Sequence, residues 1–522
     1  MRRGQQRWLA AQPGLQRVLV WLVRYGSQKE IGYDQGDAVR TYDRLFIGGD
    51  WVAPATSATI EVISPHTEEV IARVPEGREA DIDAAVSAAR TALQSGAWPA
   101  MSATDRADLL ARLSENLKAR MNDIAQAVSE EMGSPVSWGT IAQAFAPTMI
   151  IDYYVGLART HPFEELRQGV IGQTLVRREP VGVVAAIVPW NVPLFTTLAK
   201  LAPALAAGCT VVVKPSPETP LDAIMLAEAL IEVGLPSGVV NIVPAGREVG
   251  EYLVTHPDVD KVSFTGSTLA GKRIASLCGE RLRRFSLELG GKSAAIILDD
   301  ANLDEVIPGL VPAAMMNNGE ACVAQTRILA PRDQYQDVVD ALCDKVKSLA
   351  VGDPLDPATE VGPLVAARQR ERVEGYIAIG QEEGAKVAIG GGRPAGLERG
   401  WYVEPTVFVN VDNKMRVAQE EIFGPVVCVI PYGDDAEALA IANDSDYGLS
   451  GSVWTSDPSR GLDVARQVRT GTYTINGFTL DFATPFGGYK QSGMGREFGP
   501  EGLELFLELK SINLPAGYTP AL

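Results

Sequence analysis

The segment VGVVAAIVPW, residues 181–190, is an apolar run that ends in a proline and a tryptophan. A helical stretch, FTTLAKLAPALAAG (195–208), and a second apolar run, CTVVVKP (209–215), follow it. Short apolar runs that alternate with helices are typical of βαβ units and a parallel sheet. The region therefore predicts an α/β fold.

The same alternation continues along the chain in two blocks. The first block goes on through 221–234, 238–245, 247–255, 261–266 and 284–291. The second starts at 293–300 and goes on through 303–317, 331–350, 365–384, 407–411 and 426–432. We predict two α/β lobes with parallel-type sheets and a boundary close to residue 290.

Two further segments differ from this alternation. Residues 161–180 have no helical period and resemble a β-hairpin arm, and LELFLELKSINLP (503–515) is a strand candidate. Both are candidates for edge strands that pair with another subunit.

Composition limits the class of protein. The net charge is −18, which disfavours nucleic acid and anionic membrane surfaces as partners. Five cysteines in 522 residues make no disulfide framework and indicate a reducing compartment, so we expect a cytoplasmic protein. The three histidines, His66, His161 and His256, are widely separated, and no metal site is predicted.

The N-terminal residues need a separate interpretation. Residues 1–29 carry several arginines and no acid, and the apolar run VLVWLV (18–23) is too short to span a membrane. The segment is either a plain extension or an organelle import signal. The first domain is predicted to begin at residue 42.

A glycine-rich turn, FTGSTLAGKR (264–273), lies between a predicted strand and a predicted helix. It satisfies most of the P-loop pattern, but Arg273 replaces the Ser or Thr that would hold Mg²⁺. The same turn would present N–H groups and Ser267 to a pyrophosphate. A purely structural turn is the third alternative.

Polar residues also lie at the predicted ends of three strands. Asn191 and Lys214 follow apolar runs at the edge where open α/β sheets bind ligands, although a turn cap and a solvent-facing lysine are the plain alternatives. Glu288 lies in an apolar, glycine-flanked run, where desolvation would raise its pKa toward that of a general base; a salt-bridged glutamate is the alternative.

Cys322 lies in NNGEACVAQTR (317–327), after a polar lead-in that ends in small residues. Free cysteines are commonly buried and structural. Without a nearby histidine, a reactive thiolate here needs another source of activation, such as a cationic cofactor or a helix N-terminus.

Together these motifs resemble the NAD(P)⁺-dependent aldehyde dehydrogenase superfamily, in its hydrolytic group. The resemblance runs from about 42 to about 515 and rests on seven motifs in matching order: PWNVP, KPSPETP, FTGSTLAG, LELGGKS, NNGEACVAQTR, EEIFGPV and PFGGYKQSGMGRE. It implies an extension at 1–41, a cofactor-binding domain at 42–160 and 181–288, a catalytic domain at 289–498, and an oligomerisation arm and tail strand at 161–180 and 499–518.

The resemblance also implies the role of each site residue. Cys322 is the nucleophile, Glu288 the general base, Asn191 the oxyanion donor, and Lys200 with Glu497 a proton relay. The implied cofactor contacts are Val188, Pro189, Trp190, Lys214, Ser216, Gly246, Phe264, Gly266, Ser267, Gly271, Leu289, Glu421 and Phe423. The implied substrate contacts are Val192, Ala321, Val323, Phe482 and Phe486.

The expected reaction is oxidation of a hydrophobic aldehyde, aliphatic or aromatic, to its acid through a Cys322 thiohemiacetal and thioester. NAD⁺ is the expected cofactor. NADP⁺ stays open because Pro217 stands where many NAD-preferring relatives have a glutamate, and Glu218 follows it. A CoA-acylating or semialdehyde-specific enzyme of the same superfamily is the alternative. We expect a homodimer or homotetramer.

Overall fold

The computed structural model describes residues 39–520. Most of the predicted extension at 1–41, including the candidate import signal, lies outside that range. The first strand is Arg40–Thr41, which pairs in parallel with Ala72 and Arg73. The β-structure therefore begins two residues before the predicted start of the first domain.

Strands and helices alternate through the described chain, which confirms the α/β prediction. The strands are β1 (Arg40–Thr41), β2 (Leu45–Ile47), β3 (Asp50–Val52), β4 (Thr59–Ile63), β5 (Val70–Pro75), β6 (Glu164–Gln168), β7 (Gln173–Pro180), β8 (Val183–Ile187), β9 (Thr210–Lys214), β10 (Val240–Ile242), β11 (Lys261–Thr265), β12 (Arg284–Glu288), β13 (Ala294–Ile297), β14 (Arg327–Pro331), β15 (Lys386–Ile389), β16 (Thr406–Val409), β17 (Val426–Tyr432), β18 (Tyr447–Gly448), β19 (Gly451–Trp454), β20 (Thr474–Ile475), β21 (Tyr489–Lys490), β22 (Gly493–Met494) and β23 (Leu507–Asn513). The α-helices are α1 (Glu79–Gln94), α2 (Ala103–Ala119), α3 (Met121–Met132), α4 (Val136–Gly139), α5 (Ala146–Thr160), α6 (Pro193–Ala207), α7 (Leu221–Glu232), α8 (Arg247–Thr255), α9 (Thr268–Glu280), α10 (Leu303–Met315), α11 (Tyr335–Lys347), α12 (Ala367–Glu382), α13 (Arg416–Gln419), α14 (Asp435–Asn443), α15 (Pro458–Ala465) and α16 (Gly499–Glu504).

An eight-stranded sheet contains the first predicted block, in the order β22-β12-β11-β8-β9-β10-β2-β3. Its five central strands are parallel, and antiparallel strands lie at both edges. Every residue of β8 and β9 is buried. Burial on both faces explains the unbroken apolar runs, because helices cover both faces of such a sheet.

A seven-stranded sheet contains the second block, in the order β15-β16-β17-β14-β13-β19-β20. The first sheet's last central strand ends at Glu288, and the second sheet's first strand begins at Ala294. Strand β22 nevertheless pairs with β12 of the first sheet. The predicted catalytic range, 289–498, thus contributes one edge strand to the cofactor-side sheet.

The predicted arm is a hairpin of β6 and β7, and β23 extends it to a three-stranded sheet. The register of β23 on β7 runs from Leu507 opposite Pro180 to Asn513 opposite Thr174. The two predicted edge strands therefore pair with each other within one chain, and their pairing with another subunit stays a prediction. The tail strand begins at Leu507 rather than 503, because a proline near the start of helix α16 favours a helix there.

Within residues 39–520, no helix is both long enough and apolar enough to cross a membrane.

Candidate active site

The polar residues singled out in the first lobe lie at one edge of its sheet. Asn191 follows β8, and Lys214 and Glu288 are the last residues of β9 and β12. Gly266 and Ser267 follow β11 and lead into helix α9. Because these strands are parallel, their carboxyl ends form one edge, where α/β sheets bind ligands.

The loop before Cys322 has an unusual backbone conformation. Asn317, Asn318 and Gly319 have φ values of 53°, 62° and 74°, so three consecutive residues are left-handed. Asparagine tolerates this region better than most residues. A Cβ atom on Gly319 would lie 2.1 Å from the Gly424 main chain, so only glycine fits.

Side-chain hydrogen bonds hold this loop in place. The Asn318 amide donates to the carbonyls of Gly133 and Pro363, 2.9 Å each, and its oxygen accepts from the Gly362 N–H at 2.6 Å. The Glu320 carboxyl accepts from the Val365 N–H at 3.1 Å. Burial raises the pKa of that Glu320 carboxyl well above its ordinary value.

Asn191 is attached to the same loop. Its amide nitrogen donates to the carbonyl of Glu320 at 2.9 Å. Its main-chain carbonyl accepts from Gln143 and from Asn317, also at 2.9 Å. An amide nitrogen carries two hydrogens, so one N–H fixes Asn191 while the other is left for a ligand.

Burial and carboxylate charges both act on the Cys322 thiol. Burial raises its pKa to about 12, and the charges of Glu421 and Glu288 act in the same direction. The main chain at Gly291, three residues after β12, lies close to the main chain of Cys322. A Cβ atom on Gly291 would be 2.4 Å from the Cys322 carbonyl oxygen. The thiol is therefore protonated at neutral pH until a positive charge or a donor comes close.

Glu288 is 5% exposed, and its Oε2 has no hydrogen-bond partner among the described residues. Burial raises the pKa of its carboxyl well above the ordinary value; Glu497 raises it further, and Lys200 opposes the shift. The predicted desolvation of this glutamate is confirmed. A buried carboxyl with a free oxygen is suited to take a proton from water.

Lys200 and Glu497 form a buried ion pair beside Glu288. Lys200 is fully buried and lies 2.6 Å from the Glu497 carboxylate and 2.5 Å from the Thr265 hydroxyl. Glu497 is held by two main-chain hydrogen bonds with Phe486, 2.7 Å each. The predicted pair is thus brought together, whereas its role as a proton relay stays a prediction.

The turn between β11 and α9 joins a strand end to a capped helix start. The Ser267 hydroxyl accepts from the Ala270 N–H at 3.3 Å and caps α9. A Cβ on Gly266 would lie 2.5 Å from the Phe264 ring, and one on Gly271 would lie 2.5 Å from Leu289. These glycines let the main chain stay close to its neighbours, and the helix start offers N–H donors to an anion. Arg273 instead pairs with Glu251 at the surface, which removes the P-loop interpretation.

Lys214 is the last residue of β9, and Ser216 lies on the loop that follows it. Lys214 donates to the carbonyls of Pro215 and Ala245, 2.8 Å each, and burial lowers the pKa of its ammonium to about 8. The Ser216 hydroxyl hydrogen-bonds the Glu218 carboxylate. Gly246 caps helix α8. On the neighbouring loop, Val188 donates to the Lys214 carbonyl at 3.2 Å.

Two residues of the second lobe, Glu421 and Phe423, contact the loops after β12 and β8. Glu421 accepts from the Gly291 N–H at 2.9 Å, and the Trp190 and Phe423 rings meet edge to face at 5.3 Å. These two contacts join the loop after β8 and the loop after β12 to the EEIFGPV segment. The residues predicted to hold the nicotinamide end therefore lie against the loops after β8 and β12.

A cluster of phenylalanines lies near Glu497. Phe482 packs against Phe498 at 5.2 Å and against Phe195 at 5.9 Å, and Phe486 packs against Phe498 at 5.7 Å. Sequence reasoning identified Phe482 and Phe486 but missed Phe195 and Phe498. Ala321 is buried, and Val192 and Val323 are half-buried near Asn191 and Cys322 in the chain.

Residues 51–512 match the model of the aldehyde dehydrogenase family, and the chain belongs to that family. The predicted NAD(P)-dependent aldehyde dehydrogenase is confirmed.

Three similar proteins illustrate the range of relatives. A geranial dehydrogenase from Castellaniella defragrans is 48% identical, over 91% of this chain and 99% of its own. A 3-succinoylsemialdehyde-pyridine dehydrogenase from a Pseudomonas species is 45% identical, over 91% of this chain and 99% of its own. A crystal structure of an aldehyde dehydrogenase from Mycobacterium tuberculosis complexed with NAD⁺ has 51% identity and a TM-score of 0.91, over 92% of this chain and 100% of that one.

Proposed function

We propose that this enzyme oxidises a hydrophobic aldehyde, aliphatic or aromatic, to its carboxylic acid with NAD⁺ and water. The observation that carries the proposal is the hydrogen bond from Asn191 to the loop of Cys322, beside the buried Glu288 carboxyl. The aldehyde carbon loses a hydride to the cofactor and gains an oxygen from water, and one proton is released along with the acid.

NAD⁺ is the proposed cofactor, and the NAD⁺ complex of the M. tuberculosis relative supports it. Lys214 would hold the adenosine ribose, Gly266 and Ser267 the pyrophosphate, and Glu421 and Phe423 the nicotinamide end. When bound, the oxidised nicotinamide supplies the hydride acceptor and a positive charge.

Cys322 and Asn191 carry out the first step. The Cys322 thiolate attacks the aldehyde carbon and forms a thiohemiacetal. The free N–H of the Asn191 amide stabilises the oxyanion that develops on the aldehyde oxygen. Loss of hydride leaves a thioester on Cys322.

Glu288, Lys200 and Glu497 carry out the second step. The Glu288 carboxylate takes a proton from water, which then attacks the thioester and releases the acid. In the buried Lys200–Glu497 pair, 2.6 Å apart, the Glu497 carboxylate offers the next proton acceptor away from Glu288. A base that activates water supports hydrolysis of the thioester over transfer of the acyl group to CoA.

The phenylalanine cluster and the geranial dehydrogenase relative support a hydrophobic aldehyde as the substrate. An aldehyde panel with hexanal, benzaldehyde, geranial and succinic semialdehyde, assayed with NAD⁺ and with NADP⁺, tests it. We expect the three apolar aldehydes to have the higher kcat/KM. Equal or better rates on succinic semialdehyde, or NADH formation that needs CoA, would overturn the substrate assignment.

A cytoplasmic homodimer or homotetramer is the proposed setting. All five cysteines are free, in keeping with a reducing compartment. The outer edges of the β23-β7-β6 sheet offer strands to a second copy. Light scattering of the purified chain would report the number of subunits.

A further inference from the structure

The loop after β9 carries a glutamate, Glu218, four residues after Lys214. Pro217 occupies the position at which many NAD-preferring relatives have their ribose-binding glutamate, and Glu218 comes one residue later. The Glu218 side chain is 20% exposed and turns back to hydrogen-bond the Ser216 hydroxyl. Its charge also acts on Lys214, raising the lysine's pKa against the effect of burial. The carboxylate therefore lies beside both residues proposed to meet the adenosine ribose.

A cation from the other sheet's lobe faces this carboxylate. Arg368 lies in the first turn of α12, and its guanidinium is 2.6 Å from the second Glu218 oxygen. The Arg368 side chain is 57% exposed. A guanidinium has five N–H donors, so this one contact leaves others for an incoming anion.

The start of α12 is also hydrogen-bonded to the segment that contains Phe423. Gln369 donates to the carbonyl of Phe423 at 2.6 Å, and Arg372 donates to the carbonyl of Ile422 at 3.2 Å. Arg368 is thus held by a helix that also positions the proposed nicotinamide segment.

We propose that Glu218 and Arg368 together set the choice between NAD⁺ and NADP⁺. Glu218 accepts a hydrogen bond from the ribose 2′-hydroxyl and repels a 2′-phosphate, and Arg368 offsets part of that repulsion. This inference rests on the proposed function, because Lys214 and Ser216 mark the ribose site only if the chain binds a dinucleotide. The enzyme then prefers NAD⁺ but also accepts NADP⁺.

Glu218 and Arg368 are expected to have opposite effects on the binding of a 2′-phosphate. Glu218→Gln removes the repulsion and frees Arg368 to bind the phosphate as a charge-assisted, bidentate donor. Arg368→Gln leaves the Glu218 charge uncompensated. We expect the first substitution to raise the NADP⁺ to NAD⁺ ratio of kcat/KM about tenfold, and the second to lower it several-fold.

Binding of cofactor fragments provides a measurement that does not depend on turnover. ADP-ribose and 2′-phospho-ADP-ribose would be titrated calorimetrically into the wild type, both single variants and the double variant. Arg393→Gln is the matched control, since Arg393 is also 57% exposed and lies 2.6 Å from Glu374 of the same helix. Hexanal oxidation with each cofactor completes the comparison.

Opposite shifts in the two single variants, with wild-type discrimination in Arg393→Gln, would support the proposal. Unchanged discrimination in Glu218→Gln, or equal effects of Arg368→Gln and Arg393→Gln, would overturn it while wild-type turnover stays intact. A wild type that binds neither fragment and oxidises no aldehyde would instead overturn the proposed function.

Discussion

The amide nitrogen of Asn191 donates to the main-chain carbonyl of Glu320, 2.9 Å away. Glu320 lies two residues before Cys322, so this contact joins the loop after β8 to the loop of the thiol. Gln143 and Asn317 hold the Asn191 carbonyl on the other side. The proposed oxyanion donor and the nucleophile are therefore positioned as one unit.

Asn191→Ala is expected to lower kcat/KM by about 10²–10³-fold, because one donor to the oxyanion is lost. The hydrogen bonds to the Asn191 main-chain carbonyl remain, so circular dichroism should report an unchanged fold. NADH absorbance during aldehyde oxidation measures the effect. A variant that keeps more than half of the wild-type kcat/KM would remove Asn191 from the mechanism.

Cys322→Ala should abolish NADH formation and leave NAD⁺ binding intact, because only the nucleophile is missing. Cys343→Ala is the matched control, since both cysteines are free and half-buried. Calorimetry and steady-state assays measure the two properties. Residual turnover above background in Cys322→Ala would contradict the assignment.

Alkylation of Cys322 by iodoacetamide should be slow at neutral pH and should speed up as the pH rises toward about 12, because burial and the charges of Glu421 and Glu288 keep the thiol protonated. Added NAD⁺ should accelerate it at pH 7, since a nearby positive charge favours the thiolate. Mass spectrometry of the Cys322 peptide measures the rate. A rate that has already levelled off near pH 7 in the free protein would be inconsistent with this environment.

Glu288→Gln should give a burst of NADH followed by a stalled thioester, because the amide is not a base. In the wild type, steady-state turnover should rise with pH through the raised pKa of Glu288, since only the carboxylate accepts a proton. Quenched-flow kinetics and a pH profile measure these two effects. Unchanged steady-state turnover in the variant would exclude Glu288 as the base.

Lys200→Met leaves the buried Glu497 carboxylate without its partner, so we expect a loss of about 3–5 kcal/mol in the free energy of unfolding. The pH profile of turnover should also move upward, because Lys200 lowers the pKa of Glu288. Lys118→Met is the comparison, since Lys118 has an ion pair of similar length, 2.8 Å, but is 20% exposed. An equal loss of stability in both variants would argue against a special role for burial.

Glu320→Gln should reduce the dependence of stability on pH. Burial raises the pKa of the Glu320 carboxyl, so above the unfolded-state value the native protein holds a proton that the unfolded chain releases. Stability is then lost as the pH rises toward the folded-state pKa of Glu320. Glutamine does not titrate, so the variant lacks this pH-dependent contribution to stability. Denaturant unfolding between pH 5 and 8 measures the free energy of unfolding of both proteins. If it depends on pH equally in the wild type and the variant, the prediction is refuted.

The site residues at strand ends could be predicted from the sequence. Asn191, Lys214 and Glu288 each follow an apolar run, and the parallel sheet fixes where such residues meet. The alternation of runs and helices also predicted both sheets. The start of helix α6 at Pro193 rather than 195 is a local effect, because proline favours the first helical turn.

Site residues whose partners are distant in sequence could not be predicted. Gln143 reaches a carbonyl 48 residues away, and Asn318 reaches one 185 residues away. Phe195 had the appearance of an ordinary apolar residue in helix α6, and only tertiary packing brings it to Phe482. The ion pair between Glu218 and Arg368 spans 150 residues and depends on how the two lobes meet.

The left-handed turn before Cys322 also bears on biosynthesis. Its anchors, Pro363 and Val365, lie 45 residues downstream, and Gly424 closes on Gly319 from farther still. During translation the thiol leaves the ribosome long before any of these partners, and the turn has little intrinsic preference for its conformation. The loop that carries the nucleophile therefore acquires its geometry only after the chain has been synthesised past Gly424.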